Sequence, residues 1–190
     1  TLNELYRPFA VFPVTTQANA ALVPEKLEGY EAGIDFAVDE GLRFGVTVFD
    51  NQVNNAIANV TIGTNLRQRQ NVDAIKATGV EFSSALQRGP WGLDASLALT
   101  NARVNDNGTA LALDGKRPSQ TPTLSGSLSA SYRGDNGMNF AATLRHVSSQ
   151  FEDDLETDAL TAATTVDLFA QVPIAGRLSA VARRSEERRV

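Results

Sequence analysis

The sequence predicts an all-β protein, an antiparallel meander of about eight strands. Apolar and polar residues alternate with a period of two in several stretches, as in strands, because successive side chains leave opposite faces. Short turns rich in Gly, Asn and Asp reverse the chain between these stretches. The short turns also alternate with much longer connections, so the prediction is a chain of hairpins joined by loops.

The clearest hairpin flanks the turn at 134–137. One face of its two strands carries apolar or small residues, and the other carries mostly Ser, Asn, Thr and Arg; the first set is Leu124, Gly126, Leu128, Ala130, Tyr132, Met138, Phe140, Ala142 and Leu144. Each strand spans about ten residues, which is the length that a tilted strand needs to cross a bilayer.

The remaining stretches repeat this organisation from one end of the chain to the other. Alternation predicts strands over 27–38, 42–48, 77–87, 93–100 and 165–172, with a short final run from 177. Tight turns are expected at 39–41, 89–92, 134–137 and 173–176, and longer loops at 50–70, 105–122 and 152–163. Thr1 to Pro24, which holds Pro8 and Pro13, is expected to be a long loop with a short extended piece.

Two β architectures fit this pattern. Outer-membrane barrels have short turns on one side and long loops on the other, with a polar lumen and aromatic girdles. The polar faces here carry Ser, Thr, Asn and Gly, and the candidate girdle residues are Tyr30, Phe82, Trp91, Tyr132 and Phe140. A soluble β-sandwich with these aromatics in its core remains the alternative.

Composition excludes several other classes. The fractions of charged residues (21%) and hydrophobic residues (42%) are those of a folded chain. The net charge of −5 disfavours nucleic acid as a partner, and the absence of Cys excludes disulfides and thiolate metal sites. No run is apolar enough for a membrane-spanning helix, and a chain beginning at Thr1 is expected to be a piece of something longer.

No catalytic, cofactor-binding or metal-binding residue is predicted. His146, the only histidine, is expected to be an ordinary surface or lumen residue. The acidic loop of Glu152, Asp153, Asp154, Glu156 and Asp158 lacks the spacing of a calcium loop, so a solvated loop is favoured over a cation site. Five charged residues on the polar faces are expected to contact lumen water or a plug, or to line a substrate path: Glu31, Asp35, Glu81, Asp94 and Arg145.

Four short motifs resemble the TonB-dependent outer-membrane receptors. LNELY at 2–6, with Asn19 and LVPE at 22–25, precedes YEAG at 30–33. ATGVE at 77–81 is similar to a strand opening of that family, and GKRP at 115–118 with Pro122 is similar to the passage before a late barrel strand. These motifs occur in the family's order and spacing over most of the chain.

This resemblance implies that residues 1–183 are the C-terminal part of a 22-stranded transmembrane barrel. It further implies a Gram-negative outer membrane, lipid around the barrel, an N-terminal plug from the same protein, and the TonB complex as the energy source. The implied function is uptake of scarce nutrients such as ferric siderophores or cobalamin, without enzymatic chemistry. A passive porin and a secreted soluble module that binds glycans are the alternatives.

The last seven residues, RSEERRV at 184–190, interrupt the alternation. The family continues to a closing strand that ends in an aromatic residue, so the final strand is expected to be missing here. The seven residues are identical to the in-frame translation of a sequencing adapter, AGATCGGAAGAGCGTCGTGTA. We therefore expect residues 184–190 to be a non-native tail that is frayed and unpaired.

Overall fold

The computed structural model describes residues 2–108, 110–176 and 178–189. Its elements are α1 (Leu2–Tyr6), β1 (Phe9–Val11), β2 (Val14–Gln17), β3 (Lys26–Asp39), β4 (Leu42–Gly63), β5 (Leu66–Arg88), β6 (Trp91–Asn105), a 3-10 turn (Leu111–Leu113), β7 (Leu124–Arg133), β8 (Asn139–Val147), β9 (Gln150–Phe151), β10 (Ala159–Leu160), β11 (Ala163–Ala175) and β12 (Leu178–Arg189). Within these residues no helix is long and apolar enough to cross a membrane.

Eight long strands form one antiparallel meander in the order β3-β4-β5-β6-β7-β8-β11-β12. The predicted all-β meander is therefore confirmed. The small hairpin of β1 and β2 joins the sheet through a parallel pairing of β2 with β5, where residues 15–17 lie beside 66–68. Among the described residues β3 and β12 form the two edges of the meander, so the sheet is open.

Cross-strand register separates an apolar face from a polar face. One row across the sheet places an apolar set side by side: Ile34, Val46, Phe82, Leu97 and Gly126. The adjacent row, one residue along each strand, is Asp35, Gly45, Ser83, Ser96 and Ser127. Because strand side chains alternate between faces, the two rows lie on opposite sides of the sheet.

Among the described residues, no second layer of protein covers the apolar face. Ile34, Trp91 and Leu168 are 70%, 60% and 48% exposed. Burial is concentrated instead near the long connections, in a cluster of Ala56, Val60, Val72, Val104, Ala110 and Leu113. We call this set the loop cluster. Such an extended apolar surface on a single sheet is suited to lipid contact.

The prediction of a loop at 50–70 is wrong. Strands β4 and β5 stay paired from Leu42 and Leu86 out to Gly63 and Leu66, with a two-residue turn at 64–65. The outer part of this hairpin carries Asn, Gln and Arg on both faces, so it lacks the alternation that marks a half-buried strand. The segment 1–24 also differs from the prediction, since it contains α1 as well as β1 and β2.

The expectation of a frayed, unpaired tail is also wrong. β12 pairs with β11 through residue 189, and Arg184, Glu186 and Arg188 lie opposite Leu168, Val166 and Thr164. Pairing of this kind uses backbone N–H and C=O groups, which every non-proline residue supplies whatever its side chain. The exposed edge of β11 therefore accepts the tail as a strand.

Candidate functional site

The polar face forms a continuous wall of hydroxyl and charged groups, and it is the candidate functional surface. Ser96 and Ser127 are hydrogen-bonded across β6 and β7 at 2.9 Å, and Ser129 and Thr143 across β7 and β8 at 2.7 Å. Two adjoining grooves of about 710 and 480 Å³ lie along this face and share Asp35, Ser83 and Ser96 among their lining residues. A hydroxyl-lined groove of this kind holds water and polar solutes.

All five predicted lumen charges lie on this polar face. Asp35 and Ser83 fold over Gly45, whose missing side chain leaves room for them. Arg145 lies in the same cross-strand row and forms an ion pair with Asp167 of β11. Glu81 and Asp94 line the two grooves, and Glu31 lies nearer the long connections, in the row of Phe49.

His146 lies on the apolar face and not in the lumen. Its register partner on β7 is Gly126, and its Nδ1 atom is 2.9 Å from Thr164 Oγ1 on β11. The side chain is half-buried against the sheet. No group of three or more His, Cys, Asp or Glu residues suited to a metal occurs in the part of the chain that is described.

The acidic loop is docked onto the protein, so its description as a solvated loop needs correction. The Asp154 carboxylate accepts hydrogen bonds from Thr61 N at 2.7 Å and Thr61 Oγ1 at 2.6 Å. Glu156 accepts a bond from Arg117 N at 2.8 Å. Asp153 and Asp154 are 6% and 8% exposed. These carboxylates join the loop to its neighbours.

Asp153 organises the interior of this loop. Its carboxylate accepts hydrogen bonds from Thr157 N at 2.8 Å, Thr157 Oγ1 at 2.7 Å and Asp158 N at 2.7 Å. Burial raises the pKa of the Asp153 carboxyl group, but these hydrogen bonds outweigh burial and hold that pKa below its ordinary value. The charged form of Asp153 is therefore the one that the folded loop favours.

The aromatic residues divide between the two ends and the middle of the apolar face. Trp91, Tyr132 and Phe140 form a row at the tight-turn end, with ring centroids 4.8 and 6.3 Å apart. Phe82 lies further along the strands, 6.0 Å from Phe44. Tyr30 is 84% exposed toward the other end. This arrangement resembles one interfacial girdle with an apolar band beside it.

A family model described as "TonB dependent receptor-like, beta-barrel" matches residues 1–183, and this match identifies the family. The chain belongs to this family. As a TonB-dependent receptor barrel it lies in the outer membrane of a Gram-negative bacterium. This location is inconsistent with a secreted soluble β-module. No curated protein matches the chain.

Solved structures share the fold. The siderophore receptor PiuA from Acinetobacter baumannii has a TM-score of 0.66 at 16% identity, covering 82% of this chain and 23% of PiuA. A mutant of the ferric enterobactin receptor PfeA from Pseudomonas aeruginosa has a TM-score of 0.64 at 18% identity, and the match covers 90% of this chain and 26% of PfeA. The FrpB iron transporter from Neisseria meningitidis has a TM-score of 0.59 at 17% identity, and the match covers 82% of this chain and 24% of FrpB. The chain thus spans about a quarter of these receptors.

Sequence reasoning missed the contacts that join the loops of this receptor barrel. Thr61 bonds Asp154 across 93 positions of sequence, and no local pattern marks either residue as a partner. Phe49, on the polar face, covers Gly79 so closely that a Cβ there would lie 2.5 Å from the ring. The glycine in the ATGVE motif was the one available signal of that close approach.

Proposed function

We propose that this chain is part of the barrel of an active-transport receptor that takes up scarce nutrients, such as ferric siderophores or cobalamin. The observation that carries the proposal is the family match over residues 1–183. The names of the similar structures support the iron branch of this proposal, since they describe an iron transporter, a siderophore receptor and a ferric enterobactin receptor.

Each surface has a role in this proposal. The apolar face contacts lipid, and the polar face lines the lumen against water and an N-terminal plug supplied by the rest of the protein. The docked loops contribute to ligand capture, and TonB supplies the energy through a segment outside this chain. In this proposal the barrel performs no covalent chemistry, and its polar groups bind and orient water and solutes.

Uptake by the full-length receptor tests the proposal. The gene is expressed in a strain that lacks its own siderophore and cobalamin receptors, with and without TonB. We expect accumulation of a radiolabelled ferric siderophore or of cobalamin that is lost without TonB. Solute entry that is equal in both strains would instead indicate a passive porin.

A further inference from the structure

Two basic side chains lie directly opposite each other on the apolar side of the sheet. Lys76 of β5 pairs in register with Arg103 of β6, and both side chains are exposed. Going toward the tight turns, the next pair on this face is Thr78 with Asn101, followed by the apolar pair Val80 with Leu99. The basic pair therefore lies just outside the apolar band, at its loop end.

The depth of this pair can be estimated from the strand geometry. Trp91, in the aromatic row, and Arg103 are separated along β6 by the twelve positions from 91 to 103. At about 3.3 Å per residue and a tilt of about 35–45°, this separation is about 28–32 Å along the membrane normal. The apolar band of such barrels is about 25 Å tall. Arg103 thus reaches the headgroup layer on the loop side, which is the outer leaflet.

Within the described residues neither charge is neutralised by a direct ion pair, although Asp50 and Glu28 lie on the same face. Like charges directly opposite on neighbouring strands are destabilising. No carboxylate of the described residues lies within 4.0 Å of either basic group. Glu28, in the same cross-strand row, pairs with Lys26 at 2.6 Å. An anion from outside the chain would relieve the repulsion.

We propose that Lys76 and Arg103 bind the phosphorylated headgroup of an outer-leaflet lipid. The Arg103 guanidinium presents a planar fork that suits two phosphate oxygens, and the Lys76 ammonium adds a second positive charge beside it. Thr78 and Asn101 supply polar groups one step nearer the band. The proposal rests on the outer-membrane location and does not depend on which nutrient the receptor transports.

Lipid retention by the full-length receptor tests this site. Native mass spectrometry of the detergent-solubilised receptor measures the affinity for diphosphoryl lipid A and for its dephosphorylated form. We expect Lys76→Gln and Arg103→Gln each to lower the affinity for the phosphorylated form about fivefold, because a basic residue at a membrane surface contributes about that much. The affinity for the dephosphorylated form should not change.

Two variants serve as controls for charge and folding. Arg43→Gln removes a positive charge from the polar face and should leave retention unchanged. Lys76→Arg keeps the charge at the site and should bind as wild type does. Equal retention by wild type and the Lys76→Gln, Arg103→Gln double variant would overturn the proposal. Binding of inorganic phosphate alone with the same affinity would also overturn it, since the site would then be one for soluble anions.

Discussion

Ser83 and Ser84 are adjacent in β5 but lie on opposite faces of the sheet. Ser83 lies opposite Ser96 on the polar face, whereas Ser84 lies between Phe44 and Ala95 near the middle of the apolar face. We predict that Ser84→Arg lowers the free energy of unfolding by about 2–4 kcal/mol, the cost of a lipid-facing arginine near the bilayer midplane. Ser83→Arg should lower the free energy of unfolding by a smaller amount, because the added charge lies on the polar face.

Urea unfolding of the full-length receptor in lipid vesicles measures this difference between the two serines. The comparison is matched in residue type, in charge added and in depth. If Ser83→Arg proved the more destabilising variant, the two faces would be assigned the wrong way round.

Asp153 makes the stability of the acidic loop depend on pH. Because its folded pKa is lowered, its contribution to loop stability is complete above the unfolded pKa, about 3.9, and is lost as the pH falls through the folded value. We predict that the Thr157 and Asp158 amides stay protected from hydrogen exchange between about pH 5 and 7. Protection should fall only below about pH 4, after correction for intrinsic exchange rates.

Two substitutions in the same loop separate this effect from net charge. Asp153→Asn should weaken the protection at neutral pH, because a neutral amide oxygen is a weaker acceptor for the Thr157 and Asp158 amides than a carboxylate oxygen. Asp158→Asn changes the charge equally on an exposed side chain and should leave protection intact. Protection that is unchanged in Asp153→Asn would show that other contacts hold the loop.

At the scale of elements, the connections divide between the two ends of the sheet. The loops at 106–123 and 148–162 and the hairpin tip at 64–65 lie at one end, and the tight turns lie at the other. In the full-length receptor we predict that single cysteines at Asn107 and Asp158 are labelled from outside the cell. A cysteine at Asp135, in a tight turn, should be labelled only after the outer membrane is opened.

These 190 residues contain no cysteine, so the label reports the added residue once any cysteine in the rest of the receptor has been replaced by serine. Labelling of Asn107 and Asp158 from opposite sides of the membrane would contradict the topology. Asp154 is a poorer probe than Asp158, because its side chain is buried against Thr61.

Strands could be predicted where one face contacts lipid and the other contacts water. Alternation identified the paired parts of β7 and β8 almost to the residue, because the membrane imposes opposite chemistry on the two faces. It failed for the outer half of the β4 and β5 hairpin, where Asn, Gln and Arg occur on both faces and the buried residues pack against the loops. The buried carboxylates of Asp153 and Asp154 were missed for a different reason, since their burial depends on partners distant in sequence.

The end of β12 has side chains that conflict with its position. Leu178, Ala180 and Ala182 lie on the apolar face, but the next three positions on that face are Arg184, Glu186 and Arg188. A lipid-facing arginine near the bilayer midplane costs about 2–4 kcal/mol. The family match ends at residue 183, the position before this change. We therefore continue to propose that residues 184–190 derive from a sequencing adapter.

Sequencing the source locus tests this proposal about the tail. We predict that genomic reads diverge from the adapter sequence at codon 184 and encode apolar residues at the lipid-facing positions. Reads that continue through RSEERRV into further coding sequence would contradict the proposal.

At the scale of the whole molecule, backbone pairing between neighbouring strands is what stabilises the sheet, because no described layer packs on its apolar face. The eight long strands make one layer, and the loop cluster is too small to bury that face. Stability of such a sheet in a membrane depends on closing the barrel, because each unpaired backbone group in lipid costs several kcal/mol. Closure of the barrel therefore requires further strands beside β3 and β12.

The chain expressed by itself should therefore not form a stable closed barrel. Its edges β3 and β12 leave rows of backbone N–H and C=O groups unpaired, and every residue of β3 is exposed. Strands from a large barrel also carry that barrel's tilt and curvature, which disfavours closure into a smaller one. We predict aggregation, measured as loss of monomer during size-exclusion chromatography in detergent, whereas the full-length receptor remains monomeric. A heat-modifiable, protease-resistant monomer of the isolated chain would contradict this prediction, because it would require β3 and β12 to pair with each other.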